Sequence, residues 1–199
     1  MTASSAFPRA SSSASRPAGW WGMVWLVATE ATLFGVFFAS YYYLRFQAPV
    51  WPPEGIPEPK ILAPSYSTGT LVASSVPMAL AASTAGRRSR PLATACLAAA
   101  FVLGSVFLWL QAGAYGKLVD EHVPQDGAYS SLFYLITGAH AVHVFAGLAL
   151  VLGTLLVVWT GAYGRRSRIA VGTAALYWHF VNALAVAVLV LVYLVPALA

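Results

Sequence analysis

Five stretches of the chain are apolar for longer than a buried core helix requires, and short polar or charged segments separate them. They cover residues 20–46, 65–85, 92–115, 129–160 and 169–196. About 20 consecutive apolar residues suffice for a helix to span the hydrocarbon core of a bilayer. The pattern therefore predicts an all-α fold, a polytopic membrane bundle of five transmembrane helices over residues 20–199. A disordered, Ser-rich cytoplasmic tail over residues 1–19 precedes it. No segment repeats another.

The ends of the stretches support the same division. Trp20, Trp21 and Trp25 open the first, and Tyr41, Tyr42 and Tyr43 close it. Such aromatic rings gather at the two membrane–water interfaces. Pro52, Pro53, Pro57 and Pro59 follow and forbid a regular helix there. The second stretch contains Pro77, with the Ser74 and Ser75 hydroxyls nearby to satisfy the carbonyl that a proline frees. Gly69 and Ala73, four apart, are expected to let a neighbouring helix approach closely.

Composition excludes a soluble class. The chain is 59% hydrophobic and 9% charged, with a mean hydropathy of +0.72, where soluble domains carry about 25% charged residues. A net charge of +5 would suit a nucleic-acid binder, but the basic residues flank the apolar stretches, so no nucleic-acid partner is expected. Arg9, Arg16, Arg87, Arg88, Arg90, Arg165, Arg166 and Arg168 share one side of a five-span bundle, and Arg45, Lys60 and Lys117 share the other. Eight basic residues against three place the N-terminus inside and the C-terminus outside. The tail lacks the apolar core of a secretory signal, although its Arg- and Ser-rich composition resembles a transit peptide. The lone cysteine, Cys96, has no partner for an internal disulfide.

The polar residues inside the apolar stretches are the candidates for chemistry. Glu30 lies in the first, His140 and His143 in the fourth, and His179 and Asn182 in the fifth. Counting from the span ends puts the glutamate and the three histidines near the midplane. Histidines three apart are expected to share a helix face. Ionisable groups at that depth are costly and normally face protein or a partner. Histidines and a glutamate on separate helices can hold a metal. Only one carboxylate is available, however, and no Glu-x-x-His pair occurs, so no metal and no catalytic residue is expected. The reading is a midplane polar layer, or a contact with another subunit or with lipid. Glu30 suits a neutral acid donating one hydrogen bond, or a proton carrier. No haem-attachment motif or phosphate loop is present.

The segments GWWGMVWLVATEATLFGVFFASYYYLR, WPPEGI, LQAGAYGKL, DGAYSSLFYLITGAHAVHVFAGL and YWHFVN occur in this order. Together they resemble haem-copper oxidase subunit III, the cytochrome c oxidase subunit III family, in its short five-helix bacterial form. The resemblance covers about residues 19–197. It implies a non-redox subunit of an aerobic terminal oxidase in the bacterial cytoplasmic (inner) membrane, packed directly on subunit I and accompanied by subunit II. The haem and copper would lie in those partner subunits, with none in this chain. It further implies bound phospholipid and support for proton uptake and sustained oxygen reduction. Glu30 matches the family's intramembrane glutamate, and His140, His143 and His179 match its helix histidines. Asn182 stands where the family commonly has an aspartate. That departure keeps a quinol oxidase or nitric oxide reductase system in view as an alternative, with a stand-alone membrane transporter behind it.

Overall fold

Two long helices, α5 (Ala128–Trp159) and α6 (Arg165–Val188), lie side by side and the other elements pack on them. The computed structural model describes residues 17–53, 56, 61–85, 89–120, 127–160 and 165–198. These are α-helical almost throughout. α1 (Ala18–Gln47) touches α5 and α6, whereas α4 (Arg90–Asp120) packs against α5 and against the residues of the second predicted span. Most of the expected tail, six residues of the proline-rich loop, Arg87, Arg88 and the acidic loop at 121–126 lie outside the described residues.

Among the described residues, four helices are long and apolar enough to cross a membrane: Ala18–Gln47, Arg90–Leu118, Ala128–Trp159 and Ser167–Ala197. The second predicted span is two shorter helices, α2 (Leu62–Ala73) and α3 (Ser75–Thr84), which meet at Ser74. Pro77 explains the break. A helical Ala73 carbonyl needs the N–H of residue 77, which proline lacks, and the ring crowds that carbonyl. The chain tightens instead. Ser74 N–H reaches both Thr70 O (3.3 Å) and Leu71 O (3.1 Å), and Ser74 Oγ also donates to Leu71 O.

The far end of α6 changes winding in a similar way. Residues Leu189–Leu194 form a π-helical segment, and a last turn, α7 (Val195–Leu198), follows. In the wider register Val195 N–H bonds Val190 O. The next carbonyl, Leu191, would need an N–H at Pro196, which has none. Tyr42 of α1 supplies the missing donor, its hydroxyl lying 2.9 Å from Leu191 O.

Two packed clusters follow one another along the bundle. One is centred on Trp178 and includes Leu71, Met78, Leu97, Val144 and Val151. The other is aromatic, gathers Tyr41, Tyr129, Phe133 and Tyr193, and lies where α1, α4 and α6 finish and α5 begins. In lipid, apolar exclusion does not drive helices together, so close backbone approach and dispersion must. Trp178 shows how. It is fully buried, and its ring lies between two glycines of neighbouring helices. A Cβ on Gly104 of α4 would stand 2.5 Å from Trp178 Cη2, and one on Gly147 of α5 would stand 3.1 Å from Cε3. Gly69 and Ala73, the pair expected to make such a contact, instead face outward, and a Cβ on Gly69 would meet nothing. At the opposite end from the aromatic cluster, Arg90 Nε–H donates to Val158 O at 3.0 Å, covering a terminal carbonyl of α5.

Candidate functional site

Glu30 sits on an apolar helix with no cation near it in sequence, so its carboxyl must find a partner on another helix. It finds His143. Glu30 Oε2 lies 2.8 Å from His143 Nε2, across the contact between α1 and α5. The His143 side chain is 15% exposed and that of Glu30 26%. The Phe34 ring, one turn beyond Glu30, meets the imidazole edge-on at 5.3 Å and is itself buried.

The second ring nitrogen fixes the proton count. His143 Nδ1 lies 2.7 Å from Ala139 O. A backbone carbonyl can only accept, so Nδ1 carries a hydrogen. The Nε2–Oε2 contact then holds one proton: either a neutral acid donates to a neutral ring, or an imidazolium donates to a carboxylate. Both arrangements have zero net charge, which suits a partly buried pair. Tyr177 of α6 completes the site, its hydroxyl donating to the His143 carbonyl at 3.3 Å. Three helices thus meet at this pair, and it can hold or shift one proton over a single hydrogen bond.

The other candidate residues are not part of that pair. His140 lies one turn away on α5 but faces α4, with its ring edge-on to Phe107 at 5.6 Å. The expectation that both histidines share one face therefore fails. Three residues advance a helix by about 300°, which leaves the rings roughly 60° apart, and the seams of α5 with α1 and with α4 divide them. His140 is 4% exposed, and neither of its ring nitrogens has a hydrogen-bond partner among the described residues. His179 points away from the bundle and is exposed. Asn182 is buried. Its Nδ2 donates to Trp178 O at 2.8 Å, and its Oδ1 has no partner among the described residues. Among the described residues no three His, Cys, Asp or Glu side chains come together as a metal-ligand set. Sequence reasoning missed Tyr177, Phe34 and the Trp178 slot. Aromatic residues are common in such spans, and nothing in their spacing singles these out.

Comparison with known proteins gives a consistent result. The sequence model of the family described as cytochrome c oxidase subunit III matches residues 5–196. The chain is similar to cytochrome c oxidase subunit 3 of Synechocystis sp., with 33% identity over 177 residues, covering 87% of this chain and 74% of the relative. It is similar to the protein of the same name from Thermostichus vulcanus, 31% identical over 183 residues, covering 87% and 85%. It is also similar to cytochrome bo(3) ubiquinol oxidase subunit 3 of Pseudomonas aeruginosa, 30% identical over 176 residues, covering 87% and 84%. A match across every apolar stretch, onto a bundle whose intramembrane glutamate and histidine are paired, means that this chain belongs to the cytochrome c oxidase subunit III family.

Proposed function

We propose that the chain serves as the non-redox subunit III of a haem-copper terminal oxidase in a bacterial cytoplasmic membrane. In this reading it packs on subunit I beside subunit II, with phospholipid between apolar faces. It stabilises the catalytic subunit and supports proton uptake during sustained oxygen reduction. The observation that carries the reading is the family match over residues 5–196, which takes in all five apolar stretches. Its donor set supports placing haem and copper in the partners: His143 is already engaged by Glu30 and Ala139, and His140 and His179 stand apart from them. We also read α2 and α3 together as one broken span, which makes five crossings with the N-terminus inside and the C-terminus outside.

A tagged chain purified in mild detergent should bring subunits I and II and a haem spectrum with it. Removing the chain should leave that spectrum nearly intact, slow proton uptake and make activity decay faster over many turnovers. Immediate haem loss, or a decay curve identical to that of the intact complex, would overturn the reading. Reporter fusions after residue 88 and after residue 199 should report opposite sides. The similarity to a ubiquinol oxidase subunit 3 gives a second reading of the electron donor. Supplying the purified complex with reduced cytochrome c or with ubiquinol separates the two.

A further inference from the structure

A narrow shaft lined by both apolar and polar side chains lies between α2, α4, α5 and α6, and its open volume is about 20 Å³. Its lining residues fall in order of depth. Ser67 lies five residues into α2, and Tyr193 five residues before the end of α7. Gln111 and Thr137 lie nine residues from the same end of α4 and α5. His140 and Phe107 lie deepest, twelve and thirteen residues in, or about 18–20 Å at a helical rise of 1.5 Å per residue. The shaft thus has room for about one water, with the buried imidazole at its deep end and Ser67 and Tyr193 nearer the aromatic end of the bundle.

That imidazole lacks partners. A neutral ring carries one N–H donor and one acceptor nitrogen, and neither is hydrogen-bonded among the described residues although the residue is 4% exposed. Buried polar groups left in this state are costly. A water needs about 10–15 Å³ of such space and two to four polar partners, and the shaft meets both needs. Thr137 Oγ1 accepts from Tyr115 (2.7 Å) and donates to Phe133 O (2.7 Å). A hydroxyl oxygen has two lone pairs, so one remains for a water hydrogen. Gln111 adds an amide on the facing wall.

We infer that the shaft is a water site serving His140 from one end of the bundle only. Water there bonds the ring and bridges it to Thr137 on the same helix and to Gln111 on α4, and its hydrogens exchange with the solvent at the aromatic end. This gives His140 a role separate from that of His143, whose ring is closed off by Glu30 and Ala139.

Radiolytic hydroxyl labelling of the purified full-length chain, in its detergent-solubilised complex and in ¹⁸O-water, tests this. Bound water generates the radical in place, so ¹⁸O should appear on His140 and Phe107 although they are 4% and 3% exposed. Trp178 and Met78, intrinsically more reactive but 0% exposed and away from the shaft, should stay unlabelled. Ser67→Leu at the mouth should lower His140 labelling severalfold while labelling elsewhere is unchanged. If that variant does not fold, Gln111→Leu on the wall serves the same purpose. His140 and Phe107 as unlabelled as Trp178 and Met78 would overturn the inference. So would His140 labelling that a folded plug variant leaves unaltered.

Discussion

The indole N–H of Trp178 donates to Ser74 Oγ at 2.8 Å, tying the middle of α6 to the point where α2 gives way to α3. Both residues are completely buried. The break that Pro77 imposes is thereby used: it turns a hydroxyl toward a large buried ring whose N–H needs an acceptor. Ser74→Ala strands that donor in the core, which costs about 1–3 kcal/mol. Trp178→Phe removes the donor as well, so the double variant should be less destabilised than the sum of the two single ones. Unfolding of the detergent-solubilised chain, followed in all four members of the cycle, measures this coupling.

Gly104 is the tighter side of the Trp178 slot. Its added Cβ would also come within 2.9 Å of Leu148 Cδ2. Gly104→Ala should therefore destabilise by about 1–3 kcal/mol, the usual cost of overpacking. The cost should shrink in a Trp178→Phe background, where the outer ring atoms are gone. Gly153 offers a control on α5, since a Cβ there meets nothing and Gly153→Ala should be tolerated. Equal losses at both glycines would show that the slot is not what matters.

Glu30→Gln and Glu30→Ala should separate clearly. Glutamine still offers an N–H to His143 Nε2 at the 2.8 Å contact, and assembly should persist. Alanine leaves Nε2 without a partner beside the buried Phe34 ring, at about 1–3 kcal/mol. Recovery of the intact complex after solubilisation is the readout. Equal loss in both variants would point to the proton on the pair, and not the hydrogen bond, as the feature that matters.

Tyr42→Phe removes the donor to Leu191 O and should cost about 1–3 kcal/mol. Pro196→Ala restores an N–H at the position that the wider winding of Leu189–Leu194 requires. In that background Tyr42→Phe should cost measurably less. Thermal unfolding of the single and double variants decides the matter.

What could be read from the sequence was set by one-dimensional quantities. Length of apolar run predicts the helices well, because few other structures accommodate 30 residues such as those of α1. Depth is equally legible, since residues counted from a span end translate directly into distance along the axis. Counting along the axis puts Glu30 and His143 at similar heights on their helices, and the two side chains meet. Direction around the axis is not legible in the same way. Whether His140 turns toward α4 or α1, or whether Gly69 or Gly104 faces a neighbour, depends on which side chain comes from a distant part of the chain. The outward-facing Gly69 and the Trp178 slot show the difference. A spacing of small residues permits close approach, but the large ring decides where it happens.

α1 buries only two of its side chains, Phe34 and Tyr41, so most of its surface is free to meet lipid. A smooth apolar cylinder in hydrocarbon has little to stop it rotating or sliding, because every position exposes similar atoms to similar tails. Among the described residues, two side-chain hydrogen bonds from α1 to other helices remove that freedom: Glu30 to His143, and Tyr42 to Leu191. They lie about 18 Å apart along the axis and some 120° apart around it. A slip of a single residue, about 1.5 Å of travel and 100° of turn, breaks both at once. The helix is thus held at one height and one angle by two contacts, and the rest of its sequence is left free to vary with whatever lies outside.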